Sequence, residues 1–243
     1  MATHYRTWGF VLKKENIRED DRLLTIFSKD FGKLKILGRA IRKIKSKLRG
    51  GSQLFTLSEI EFIQGKTYKT LTDAILVKDF PEIKKNLGKL KIAYQISQAL
   101  DNLVRGQEPD EKIWKLLNET FKRLNNLQFT VYSLQLIYYY FLWNLLSFLG
   151  YTPQLYHCAL GQEKLIPAQI FWSSKEGGVI CKNCSKKIKE TFFKIEPDTI
   201  KLLRLILKKD WVTLQRLKID RGLHQNLREV SKNFYSYILS QIE

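Results

Sequence analysis

The sequence predicts an α+β chain: a small β-barrel or sandwich at the amino terminus, then a helical domain interrupted by a ribbon-like insertion. Three observations predict it. Five short apolar runs with strand periodicity fill residues 1–80, helical spacing takes over after Pro81, and all three cysteines fall within residues 151–194. The 243 residues leave room for one large domain or two to three small ones, and a hydrophobic fraction of 44% excludes global disorder.

The β region comes first. Trp8, Phe10 and Leu12 alternate onto one face of a first strand. Residues 23–27 and 34–37 form two more apolar runs, with Gly32-Lys33 as the turn between them. In residues 54–63 the apolar phase flips, from Phe55 and Leu57 to Ile60 and Phe62, which predicts a bulge or bend. A turn at residues 64–67 leads into a fifth run at 68–77.

The helices follow. Ile83, Leu87, Leu90 and Tyr94 keep helical spacing in a pattern that runs to Val104, and Gly106 breaks it. Pro109 opens a helix whose face carries Ile113, Leu117, Phe121 and Leu124. Residues 129–150 contain no charged side chain, a length that could span a bilayer. Thr130, Ser133, Gln135, Asn144 and Ser147 interrupt the stretch, and Tyr138, Tyr139 and Tyr140 sit at its middle, whereas bilayer spans place tyrosine at their ends. It therefore reads as a core helix, in which Asn144→Leu should be tolerated or mildly destabilising. Pro197 opens another helix through Lys208, and Leu223, Leu227, Val230, Phe234 and Tyr237 mark the last. The insertion between them holds two short strands.

The formal net charge of +18, from 42 Lys+Arg against 24 Asp+Glu, favours a polyanionic partner. Residues 1–80 carry 17 basic and 9 acidic side chains. The sharpest concentration is residues 39–49, where Arg39, Arg42, Lys43, Lys45, Lys47 and Arg49 make six of eleven residues basic and none is acidic. Such cations displace counterions from a phosphate backbone without reading sequence; the alternative is a solvated basic loop. Gly50-Gly51 behind it is a hinge signal.

Cys181-Lys182-Asn183-Cys184 has knuckle spacing, and Gly177-Gly178 suits the tight turn of a zinc ribbon. Upstream stands Cys158 alone, with Gly161 three residues later where a partner cysteine would be expected. His157 is the nearby substitute, so the candidate set for one structural zinc is Cys158, Cys181, Cys184 and His157; the alternative is a ribbon that packs without metal. Three cysteines suit a reducing compartment, and the first residues lack the apolar core of a signal peptide. Glu19, Asp20 and Asp21 could hold Mg²⁺ in a nuclease, or form a solvated turn with Arg18 and Arg22. No phosphate loop and no zinc-protease motif is present, so the sequence is not read as an enzyme.

Residues 9–12 (Gly-Phe-Val-Leu), 20–23 (Asp-Asp-Arg-Leu), 31–34 (Phe-Gly-Lys-Leu), the arm from Gly38 to Gly50 and residues 53–56 (Gln-Leu-Phe-Thr) together resemble the amino-terminal domain of the bacterial recombination mediator family RecO. Residues 149–153 (Leu-Gly-Tyr-Thr-Pro), Cys158 and residues 177–184 resemble its carboxy-terminal part. The resemblance implies an OB-fold nucleic-acid-binding domain at 1–80. It also implies a helical domain at 81–243, with a zinc-ribbon-like insertion at 151–194. The implied role is a cytoplasmic, nucleoid-associated DNA repair protein that uses no nucleotide. It would bind single- and double-stranded DNA, anneal complementary strands, and help load RecA on SSB-coated DNA with RecR, touching the acidic, apolar-tipped SSB tail. OB-folds usually bind through the strand 2–3 face and the 1–2 and 4–5 loops. Residues 14–21 of the 1–2 loop are net acidic here, so the arm is the better candidate contact. The runner-up is an OB-fold RNA-binding protein of the translation machinery.

Overall fold

A computed structural model describes residues 3–65, 67–127, 131–167, 169–188 and 191–242, apart from the side chains of residues 131 and 132. The expectations for Lys66, Phe129 and Thr130 lie outside the described residues. The chain forms two compact units, Met1–Leu127 and Gln128–Glu243.

In the first unit five strands, β1 (His4–Asn16), β2 (Arg22–Ser28), β3 (Gly32–Gly38), β4 (Leu57–Ile63) and β5 (Lys69–Lys78), close into a barrel in the order β1-β2-β3-β5-β4. Every pairing is antiparallel except β3 with β5. Closure depends on β1, which pairs with β4 through residues 4–10 and with β2 through residues 9–16, and shifts register between Val11 and Lys13. A bulge of this kind bends a strand enough to serve two neighbours. The expected phase flip in β4 coincides with two further register shifts against β5, at Leu57/Ser58 and Glu61/Phe62.

Val11, Leu24, Ile26, Leu34, Ile36, Ile60, Phe62 and Leu71 fill the barrel. Because strand side chains alternate, Phe10 and Leu12 point outward from it. They remain fully buried because helices cover that face. Phe10 meets Phe80, Trp114 and Phe121 at ring-centroid distances of 6.2, 5.3 and 5.5 Å. The third member of the expected face departs from it: Trp8 is 47% exposed. The strands end near residue 80 as expected, but the compact unit continues through α2 (Pro81–Lys85), α3 (Leu87–Leu103) and α4 (Glu111–Asn126), which supply this outer cover. The single helical pattern expected over 83–104 is two helices. Asn86 is extended, and its side chain accepts the Lys89 N–H at 3.0 Å, ending α2 and capping α3.

The second unit holds α5 (Val131–Phe148), α7 (Pro197–Leu207), α8 (Trp211–Leu214) and α9 (Arg221–Ile242). The charge-free helix is core as expected, with residues 139–146 all buried. Among the described residues no helix is long and apolar enough to cross a membrane. Trp143 donates its indole N–H to Ser231 at 2.9 Å and stacks on Phe234 at 5.2 Å. The insertion contains three short strands where two were expected, β6 (Ile170–Ser173), β7 (Gly178–Cys181) and β8 (Phe193–Lys194), in the order β7-β6-β8, with a one-turn helix α6 (Lys182–Ser185) after β7. Gly177 turns β6 into β7 at a φ of +67°, a conformation that disfavours any residue with a Cβ.

Candidate nucleic-acid interface and metal centre

The basic arm joins β3 to β4 and ends in the single turn α1 (Leu48–Gly51). Ile41 is buried against the barrel core and Leu48 packs beside it, so the arm is pinned by two apolar side chains. Its six cations, Arg39, Arg42, Lys43, Lys45, Lys47 and Arg49, are all exposed. Gly51 is no hinge. A Cβ there would stand 2.1 Å from the Ala74 carbonyl oxygen, so glycine is what lets the end of the arm lie on β5.

The acidic cluster anchors the arm. Asp21 accepts the Ala40 N–H at 2.8 Å, Arg42 donates to the Asp20 and Glu19 carbonyls, and Lys43 pairs with Asp20 at 3.4 Å. The partners expected for these acids were Arg18 and Arg22, but Arg22 donates instead to Asn16 at 2.9 Å. Asp21 and Ala40 flank the ends of β2 and β3, so the β1–β2 loop lies under the start of the arm. Among the described residues, Arg39, Lys45, Lys47 and Arg49 have no ion pair.

Three further cations, Lys14, Arg22 and Lys84, gather beside Arg49 of the arm. Lys14 is half-buried on β1 and donates to Gln53 at 3.3 Å. Burial first, and then the charges of Arg22, Lys84 and Arg49, push its pKa down to about 8. That crowding of like charges is visible only once the barrel and α2 bring residues 14, 22, 49 and 84 together. Lys14 also lines a 430 Å³ groove with Leu12, Leu54 and Tyr94.

In the insertion, the thiols of Cys158, Cys181 and Cys184 lie within 4.8 Å of one another, and among the described residues they are the one group so placed to hold a metal. Cys158 and Cys184 are buried and Cys181 half-buried. The N–H groups of Gly161 and Cys181 donate to the Cys158 sulfur at 3.4 and 3.3 Å. Burial opposes the Cys158 thiolate, but these donors, with Leu160 N–H and the Cys184 thiol, outweigh it and pull its pKa below the ordinary thiol value. Burial, and then its hydrogen bonds to the other two cysteines, push Cys184 up to about 11. Three soft donors preset around one point, with N–H groups aimed at sulfur, fit a zinc ion.

His157 does not join this cluster. It lies in an antiparallel bridge with Lys164, and successive side chains in extended pairing point to opposite faces, so turning Cys158 inward turns His157 away. Adjacency in sequence was the wrong guide to a shared site.

Two family profiles match the chain: "Recombination protein O N terminal" over residues 1–80 and "Recombination protein O C terminal" over residues 85–241. The chain belongs to the RecO family. Proteins named DNA repair protein RecO are similar to it along almost its full length. That of Dehalococcoides mccartyi is 28% identical over 237 residues, covering 98% of this chain and 91% of the relative. Those of Desulforamulus reducens and Caldanaerobacter subterraneus are each 27% identical, covering 98% of this chain and 90% and 93% of theirs. Membership supports a role in DNA repair and recombination and does not favour the translation reading. The first profile ends at residue 80, just after β5 ends at Lys78, and the second begins at residue 85.

Proposed function

We propose that the chain is a non-enzymatic recombination mediator. It binds single- and double-stranded DNA, anneals complementary strands, and helps load RecA on SSB-coated single strands with RecR. The observation that carries this reading is the arm: six exposed cations on one loop, pinned to a barrel by Ile41, Asp20 and Asp21. Bringing two strands together needs neutralised phosphates on both, and a loop with six exposed cations supplies the charge for it. The barrel order β1-β2-β3-β5-β4 supports an OB-fold domain at 1–80; helices dominate from residue 81 onward, with α2, α3 and α4 completing the barrel's compact unit. The thiol cluster supports a zinc ribbon at 151–194, in which the ion would be structural, stabilising the insertion as it binds. Contact with the SSB tail, and a place in the cytoplasm at the nucleoid, belong to the same reading.

A fluorescence annealing assay with SSB-coated complementary oligonucleotides tests it. The protein should accelerate annealing, and the variant with all six arm cations changed to Gln should not. Equal rates with and without the wild-type chain would refute mediator function. Binding that depends on the 2′-hydroxyl would return the reading to RNA.

A further inference from the structure

We propose that Glu163 supplies the fourth ligand of the metal centre, in place of the cysteine absent at position 161. The inference rests on the zinc reading of the three-thiol cluster and extends it to a Cys₃Glu site. The local backbone keeps the form of a two-cysteine knuckle. Gln162 N–H donates to the Cys158 carbonyl at 2.9 Å, Gly161 N–H to the Cys158 sulfur at 3.4 Å, and Cys158 N–H to the Glu163 carbonyl at 2.8 Å. A Cβ placed on Gly161 would stand 3.0 Å from the Cys184 sulfur, so position 161 faces the cluster as a fourth ligand should.

Glu163 stands beside that position. Its carboxyl carbon lies 3.9 Å from the same Cβ position. Its Oε2 lies 3.6 Å from the Cys181 sulfur, which donates to it. In a tetrahedral zinc site with sulfur at about 2.3 Å and oxygen at about 2.1 Å, the sulfur–oxygen edge is about 3.6 Å. The carboxylate does not lie within 4.8 Å of all three sulfurs, so ligation requires this exposed side chain to turn toward the cluster. A carboxylate is an ordinary zinc ligand, and four anionic donors around a dication leave a net negative site. Lys164, Lys182, Lys186 and Lys187 are exposed in the surrounding chain and offset it. Glu163 accepts the Cys158 N–H at its carbonyl and has its carboxylate beside Cys181, whereas His157 is bridged to Lys164 and lies outside the cluster.

The test uses the full chain and zinc alone. Zinc affinity is measured by competition with a chromophoric chelator, and coordination is read from the visible spectrum after Co²⁺ substitution. The wild type should hold one zinc per chain. E163Q and E163A should weaken zinc by about tenfold or more and shift the cobalt bands, with the far-ultraviolet spectrum unchanged. G161C/E163A should recover tight binding, with sulfur-to-cobalt absorption stronger than in the wild type. If E163Q and E163A bind zinc as tightly as the wild type with unchanged cobalt spectra, the assignment of Glu163 is wrong while the three-cysteine site stands. If the wild type holds no zinc, and C181S differs from it in nothing, both the ligand assignment and the zinc reading fail.

Discussion

Lys14 shows how a single amine can report on the interface. In the free chain its pKa is pushed down to about 8 by burial and by the neighbouring cations Arg22, Lys84 and Arg49. A phosphate placed among those charges reverses the repulsion and raises the pKa. Well below pH 8 Lys14 is protonated whether or not DNA is bound, so affinity does not depend on its titration. As pH rises through 8 the free chain loses the proton and must regain it to bind, so affinity falls. The expected outcome is a DNA dissociation constant that is flat from pH 6 to 7 and weakens above 8. In Lys14→Gln that added pH dependence should disappear. A wild-type profile identical to that of the variant would place Lys14 away from the phosphates. Proton uptake on binding, measured by calorimetry in buffers of different ionisation enthalpy, checks the sign independently.

At the scale of elements, α5 is tied to α7 by one polar side chain. Asn144 is 1% exposed, and its amide donates to the Tyr140 carbonyl at 2.8 Å and to the Ile206 carbonyl at 3.0 Å. From sequence, Asn144→Leu was expected to be tolerated or mildly destabilising, because the helix read as core and not as a membrane span. The structure makes it the fastener at the carboxy-terminal end of α7, so Asn144→Leu should destabilise the chain by about 1–3 kcal/mol, read as a lower denaturation midpoint. An unchanged midpoint would mean the two carbonyls find other donors. The helix itself was legible because periodicity and length are local properties of the chain. The tie was not, because Ile206 is far away in sequence. The same division separates the other expectations. Pro81, Pro109 and Pro197 announced helices correctly, and the strand runs were found within a few residues. Trp8 was misplaced because periodicity gives a face but does not say what covers it. His157 was misplaced because proximity along the chain does not determine side-chain direction. Glu163 gave no sequence signal beyond its spacing from Cys158, since a carboxylate beside a knuckle is also an ordinary solvated residue.

Across the whole molecule, the +18 charge makes some salt dependence of DNA binding unavoidable, so the informative quantity is how much of it the arm accounts for. Six phosphate contacts would contribute a slope of about −4 in log K against log salt on single strands. The structure divides those six. Arg42 and Lys43 already hold Glu19 and Asp20, although the Lys43 pair is exposed and weak. Arg39, Lys45, Lys47 and Arg49 project without ion pairs among the described residues, and four such contacts correspond to a slope of about −3. Changing those four to Gln should therefore remove most of the arm's share of the slope and weaken all sequences alike. The Arg42→Gln, Lys43→Gln pair should lower affinity with a smaller change in slope, since it loosens the arm's anchor more than it removes free charge. The comparison separates local geometry from net charge. If the loss of slope follows only the number of charges removed, the arm acts as diffuse positive potential. If the four-site variant keeps the wild-type slope, the counterions are released elsewhere and the arm is not the DNA contact.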